Sequence, residues 1–555
     1  MSRRLTFVPA ALLLLAGCAG PHAAVEPAPK LVVLLAIDQL RPDRLSDEQP
    51  GGLGRLRREG RVFTDAALAH AFTETCPGHA TMLTGRHPSG IGIPGNSYID
   101  PETFEAWYCV EDRRPDASIL TRPGKPSDGR SPRVMEAGGL GDWMKVQHPG
   151  ARVFSVSGKD RSAITTAGRH GDAAYWLARG ETPGFVTSRY YRKALPAWVE
   201  TWNRDEVLAG VPARWEYLAQ TVADSAGGIR ADDYAHESPA FGRAQPHPVL
   251  QAPVGIERMP ERMRHPAERI YITPFADEIT LAFAKELVER ENLGGGQQVD
   301  LLVVALSATD LVGHFYGPES WESRDALTRL DLDLGDFLEF LEERVGKRRV
   351  LVALTADHGV LPLPEWILEQ GRSRCPVAGG RVDPKPIVAD LNAELSERFG
   401  GDAATAWFKL ASSRLSLNRK HVAAMGTDPA EVIELARARL ESEAGIARAW
   451  TRDEVLSGAG PEPMATLYRN SWNQRTGDIA IQVAEDCLLA GLRIATSHGS
   501  PYVYDRAVPL IFWGPGVEPG RIQGPAATVD IAPTLARLLG IPMPDDLDGR
   551  PLPLE

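Results

Sequence analysis

Three separate stretches of this chain are apolar from end to end, and each runs into an acidic residue. Leu31-Val32-Val33-Leu34-Leu35-Ala36-Ile37 ends at Asp38, Leu301 to Leu306 is followed by Asp310, and Val350 to Leu354 leads to Asp357-His358. A strand with one face in water alternates polar and apolar side chains. A continuous apolar, β-rich run therefore predicts a strand covered on both faces, as in a parallel sheet packed between helices. Open sheets of that kind place their ligands at the C-terminal ends of the strands. Carboxylates at or just beyond three such ends predict an α/β fold: a central, mostly parallel β-sheet flanked by helices, with a polar site along one edge. Helical spacing of apolar residues is expected over Pro274 to Glu291 and over Ala326 to Val345. The stretches at about 165–270 and 360–490 show only weak or mixed patterning. They read as insertions that cover the site within one catalytic domain, residues 31–555.

The acidic residues keep company with imidazoles. In Asp310-Leu311-Val312-Gly313-His314 the four-residue spacing puts a carboxylate and an imidazole on one side of a helix or tight turn. Asp357-His358 is a second pair at a strand end. His498 lies far downstream in a Ser/Gly loop, and Asp38 closes the first strand. Oxygen and nitrogen donors of this kind suit zinc. Two His and one Asp make one site; Asp, Asp, His and one further oxygen make another.

That further oxygen has a candidate in Thr75-Cys76-Pro77-Gly78-His79. A threonine hydroxyl is a poor nucleophile near neutral pH, and a metal ion lowers its pKa. A helix beginning at Thr75 would also aim free N–H groups at a bound phosphate. The alternative use of Thr75 is an N-cap that satisfies those same groups. The residues alone leave both open.

The first residues bear on compartment. A basic Met1-Ser2-Arg3-Arg4, an apolar Phe7 to Ala16 and then Leu15-Ala16-Gly17-Cys18 have the layout of an export signal, too short to span a bilayer. The segment resembles a bacterial lipobox. It implies a signal peptide over residues 1–17, a lipidated Cys18 and a Pro/Ala-rich tether to residue 30. Ala19 after the cysteine favours outer-membrane attachment of a periplasmic lipoprotein, the lipid being the chain's contact with the membrane. The remaining four cysteines can form two disulfides in an oxidising compartment. Cys76 with Cys109 and Cys375 with Cys487 is the expected pairing, with a free Cys76 thiol beside the site as the alternative. The net charge of −12 argues against nucleic acid or an anionic membrane surface as the main partner.

Taken in order, Ala36-Ile37-Asp38, Thr75 to His79, Gly95-Asn96, Thr309 to His314, Asp357-His358-Gly359 and His498-Gly499 resemble the alkaline phosphatase superfamily. More narrowly they resemble its type I phosphodiesterase/nucleotide pyrophosphatase branch. Val529-Asp530-Ile531-Ala532-Pro533-Thr534 also looks like that superfamily's closing segment. Within the branch, Lys159-Asp160-Arg161 resembles the Lys-x-Arg pair of the Thr-nucleophile, phosphate-irrepressible bacterial alkaline phosphatases. A monoester dianion carries one more charge than a diester, and a Lys with an Arg fork can answer it. The resemblance implies one zinc held by Asp310, His314 and His498, and a second held by Asp38, Asp357, His358 and the Thr75 oxygen. It implies Thr75 as nucleophile, with Asn96, Lys159 and Arg161 on the phosphate oxygens. His79 is not a ligand in this scheme and is expected to pack or hydrogen-bond near the nucleophile. The implied activity is zinc-dependent hydrolysis of small phosphate monoesters through a phospho-threonine, by a monomer. A phosphodiesterase on the same scaffold is the alternative. Cys76-Pro77-Gly78-His79 does not supply the Cys/Ser-x-Pro-x-Arg setting of a sulfatase.

Overall fold

The computed structural model describes residues 28–120, 128–179, 182–219, 221, 230–253, 255–258, 261–402, 404–491 and 494–555. The expected signal peptide, Cys18 and most of the tether lie outside these residues. Among the described residues, no helix is long and apolar enough to cross a membrane.

Among the described residues, nine strands build the main sheet: β1 (Leu31–Ile37), β2 (Arg61–Ala67), β3 (Val153–Ser157), β4 (Ala173–Ala178), β5 (Gly184–Val186), β6 (Asp300–Leu306), β7 (Val350–Thr355), β8 (Leu510–Trp513) and β9 (Gly520–Ala527). Their order is β9-β2-β8-β7-β1-β6-β3-β4-β5. From β7 through β4 every pairing is parallel. The antiparallel pairs β7–β8, β8–β2 and β4–β5 lie to either side of that centre.

The three apolar runs form β1, β6 and β7, which lie side by side and are buried throughout. Alternate residues of β1 serve two different cores. Leu31, Val33, Leu35 and Ile37 pack with residues of α3 (Phe275–Arg290) and α5 (Trp321–Val345). Val32, Leu34 and Ala36 pack with Met82 and Leu83 of α1 (Thr75–Thr84) and Leu535 of α6 (Ile531–Leu539). Covering both faces is what makes the run apolar at every position. The register then brings the strand ends level: Ile37 lies opposite Leu306, Ala36 opposite Thr355, and Ala305 opposite Ser157. Two helices leave this edge, α2 (Asp160–Ala167) after β3 and α4 (Ala308–Tyr316) after β6.

β4 and β5 fall inside the stretch read as the first insertion, yet they extend the main sheet. Ala173-Ala174-Tyr175-Trp176-Leu177-Ala178 is itself a buried apolar run, short enough to pass among the surrounding Arg and Pro residues. The second stretch holds a separate four-stranded antiparallel sheet, ordered Phe408–Ala411, Arg414–Leu417, Ile479–Val483, Ile446–Thr451. It has its own core around Trp407, Leu415, Val432, Leu440 and Ile481. Both expected disulfides are formed, Cys76–Cys109 and Cys375–Cys487, so Cys76 is not a free thiol. The second spans 112 residues of sequence and belongs to the inserted lobe.

Candidate active site

Ten residues singled out in the sequence converge at the C-terminal edge of β7, β1, β6 and β3. They form two donor groups of three and a set of polar side chains around Thr75. The first group is Asp310, His314 and His498; the second is Asp38, Asp357 and His358. In each, one donor atom per residue lies within 4.8 Å of the others. The four-residue spacing works as expected on α4, where His314 Nε2 stands 3.1 Å from Asp310 Oδ1. His498 Nε2 reaches the same oxygen at 3.6 Å. His358 Nε2 is 3.4 Å from both Asp38 Oδ1 and Asp357 Oδ2.

The donor set fits a divalent cation in each group. All three imidazoles tie their Nδ1 to a backbone carbonyl: His314 to Thr496 at 2.8 Å, His358 to Gly359 at 2.9 Å, and His498 to Thr73 at 2.6 Å. An Nδ1–H donated to a carbonyl fixes the tautomer and leaves the Nε2 lone pair as a ligand. In the second group Asp38 Oδ1, Asp357 Oδ2 and His358 Nε2 are buried without hydrogen-bond partners, all turned toward one point. Buried polar atoms in that condition are costly, and a shared cation satisfies them together.

Lys159 follows β3 and is 2% exposed. Its ammonium bonds Asp38 Oδ2 and, at 2.5 Å, Asp310 Oδ2, one carboxylate from each group. The side chain expected on a phosphate oxygen is thus already engaged with both acids. Burial works against the Lys159 charge, but Asp310 and Asp38 outweigh it and raise its pKa. Burial and then Asp357 push the Asp38 carboxyl well above its usual range, against the pull of Lys159. Burial also opposes ionisation of Asp310, yet His314 and Lys159 hold it well below that range.

Thr75 is the first helical residue of α1, and Glu74 occupies the cap position without a side-chain cap bond. The Thr75 hydroxyl instead receives a hydrogen bond from Arg161 Nη2 at 3.2 Å. Arg161 is steadied by Tyr108, whose hydroxyl it reaches at 3.3 Å and which donates to Asp160 Oδ1 at 2.6 Å. Asn96 Oδ1 accepts from the Cys76 amide at 2.8 Å. That fixes the amide's orientation and leaves its NH2 end as a donor. Gly78 sits where α1 crosses the β7 end: a Cβ there would lie 2.2 Å from the Asp357 carbonyl oxygen.

Several supporting residues carry no motif signal. Gln39, directly after Asp38, has φ +67° and donates to Asp357 Oδ1 through its amide at 3.1 Å and to Asp310 Oδ1 through Nε2 at 2.7 Å. Gly313 exists to admit that side chain, since a Cβ would fall 1.9 Å from Gln39 Oε1. His79 Nδ1 stands 3.1 Å from Asp357 Oδ2 and 3.0 Å from the Thr75 carbonyl, packed close to Thr75. Arg414 reaches in from the inserted sheet. It donates to Glu74 Oε1 at 2.5 Å, and Glu74 Oε2 accepts the Asn96 amide at 2.8 Å. A buried Arg opposite a buried Glu more than 300 residues away is a contact that sequence spacing cannot announce.

Residues 32–491 match the family model described as type I phosphodiesterase/nucleotide pyrophosphatase. A protein of Myroides odoratus named calcium-transporting ATPase is 33% identical over 537 residues, covering 94% of each chain. Alkaline phosphatase PhoK of a Sphingomonas species is 33% identical over 560 residues, covering 95% of this chain and 91% of its own. The crystal structure of wild-type alkaline phosphatase PafA superposes with a TM-score of 0.84 at 28% identity, covering 95% of this chain and 98% of that one.

Proposed function

Because the chain belongs to the type I phosphodiesterase/nucleotide pyrophosphatase family, we propose that it is a metal-dependent alkaline phosphatase acting on phosphate monoesters, with Thr75 as its nucleophile. The observation that carries the reading is the Arg161 guanidinium on the Thr75 hydroxyl, 3.2 Å away, beside two cation-binding groups on one sheet edge. The names of the relatives PhoK and PafA point the same way. Oxygen and imidazole donors favour Zn2+ in both groups, Asp310/His314/His498 and Asp38/Asp357/His358. When bound, such ions supply Lewis acidity toward the attacking and departing oxygens.

The chain's own residues do the rest. The Thr75 oxygen attacks phosphorus in line, the phosphorus–oxygen bond to the leaving group breaks, and that oxygen ends protonated as an alcohol. Water then displaces Thr75 from the phospho-threonine and releases inorganic phosphate. The NH2 of Asn96 and the Arg161 fork donate to the non-bridging oxygens, where positioning and charge contribute most. Lys159 bridges Asp38 and Asp310 in the structure described, and in this reading its ammonium also faces a phosphate oxygen. Small phosphate monoesters are the partners, with no nucleic acid, and the working unit is a monomer. Export as a lipoprotein through Cys18 belongs to the same proposal, supported by the N-terminal pattern and by two disulfides.

The test is steady-state turnover of an aryl phosphate monoester and its methyl diester, with zinc present, on wild type and on Lys159→Ala/Arg161→Ala. A strong monoester preference that collapses in the double variant is expected. Diester preference in the wild type, or an unaltered ratio in the variant, moves the protein to the phosphodiesterase reading.

A further inference from the structure

A partly open cavity of about 350 Å³ lies against the loop that carries Lys159 and Arg161. Gly158, Asp160 and Arg161 form one wall, and β4 with its following residue Arg179 forms another. Arg161 is therefore shared: one face of the loop meets the Thr75 hydroxyl and the other meets the cavity. Tyr108, Trp176 and Tyr271 give the cavity flat apolar walls.

Among the described residues, Arg130, Arg161 and Arg179 line it with one carboxylate, that of Asp160. That carboxylate is taken by Arg130 Nε at 2.7 Å. Arg161 serves the phosphate in the reading above. Arg179 is the most loosely held of the three. Its guanidinium stacks 3.8 Å over the Tyr271 ring. Its ion-pair partner, the Glu268 carboxylate, stands 3.9 Å off, beyond hydrogen-bond distance and outside the cavity lining. The Arg179 side chain keeps 40% of its surface exposed, so a ligand can reach it. An arginine laid on an aromatic face is pre-organised for a planar anion such as a carboxylate.

Resting on the phosphatase reading, we propose that this cavity is a leaving-group subsite and that Arg179 selects phosphate monoesters whose leaving group carries a second anionic group. The phosphate dianion sits against Arg161 and Asn96. A planar leaving group lies between the aromatic walls, and its own carboxylate or phosphate meets Arg179.

The experiment compares kcat/KM for 4-carboxyphenyl phosphate with that for 4-carbamoylphenyl phosphate, which has the same shape and no second charge. The wild type is expected to favour the carboxylate by roughly tenfold, the return of one partly exposed charge-assisted hydrogen bond. The ratio should fall to about one in Arg179→Ala and Arg179→Gln, the latter keeping most of the side chain so that a collapsed cavity is not mistaken for a lost charge. Arg179→Lys should retain part of it. No preference in the wild type, or the same preference in Arg179→Gln, overturns the subsite while turnover of both esters leaves the phosphatase reading standing. Turnover of neither ester overturns that reading and the subsite with it.

Discussion

The C-terminal edge of the main sheet and the inserted four-stranded lobe are built on opposite plans. At the edge, β7, β1, β6 and β3 are parallel, buried on both faces and held in register, and each ends in or just before a chemical group. The lobe is antiparallel, and its outer strand is partly wetted: Phe408 is buried and Lys409 beside it is exposed. It keeps its own core and its own disulfide, and sends the buried Arg414 to the site. A sheet clamped from both sides cannot shift a strand without exposing a whole apolar face, which suits it to holding donors within tenths of an ångström. The lobe meets the site through side chains that cross over, Arg414 among them. In the phosphatase reading, chemistry belongs to the first and orientation to the second.

The sharpest way to break this division is Thr75→Ala. Turnover of an aryl phosphate should drop roughly a thousandfold or more, since loss of a nucleophile removes the covalent route altogether. Zinc content measured on the same preparation should stay close to the wild-type value, because Asp38, Asp357 and His358 remain. Near-normal turnover would remove Thr75 from the chemistry and return it to the role of a helix-start residue.

Arg414→Ala tests the brace. Its guanidinium holds Glu74 and the Ser97 carbonyl, at 2.5 and 3.0 Å, and Glu74 in turn holds the Asn96 amide. Removing one member of a buried pair costs about 3–5 kcal/mol, mostly by leaving the other charge unanswered. A lower melting temperature is expected, together with a kcat/KM loss of about tenfold on the monoester, the scale of a misplaced donor. Glu74→Gln combined with Arg414→Met removes both charges and should recover most of the stability but not the activity. A thousandfold loss in Arg414→Ala, equal to that of Thr75→Ala, would mean that the lobe contributes directly to catalysis.

The same contrast explains what could be read from the sequence. Continuous apolar runs exist because both faces are covered, so β1, β6 and β7 declared themselves, along with the acids at their ends. Asp310 and His314 were legible because a helix converts a spacing of four into a shared side. The two strands β4 and β5 were folded into an insertion because their runs are short and surrounded by Arg, Tyr and Pro. Arg414, Gln39 and Arg179 stayed hidden for a different reason. Each matters through a partner that is remote in sequence or through a cavity, and neither leaves a local pattern. Lys159 was found, but its place between two carboxylates was not, because spacing shows which residues gather and not which of them pair.

The mildest test for activity is the Cys375–Cys487 bridge. It spans 112 residues, and both its sulfurs lie in the lobe's core. Cross-linking a segment of that length stabilises mainly by restricting its unfolded chain, typically by about 2–4 kcal/mol. Cys375→Ser/Cys487→Ser should therefore lower the melting temperature of the purified protein. At 25 °C, where the lobe is still folded, kcat on an aryl monoester should remain within about twofold of wild type, because neither cysteine touches the path from Arg414 through Glu74 to Asn96. Two outcomes would matter. A stability loss with kcat intact confines the bridge to the lobe and leaves orientation to Arg414 alone. A parallel loss of kcat would show that the lobe's internal order reaches Thr75 and its neighbours, and the line drawn between the bracing region and the edge of the main sheet would have to move inward.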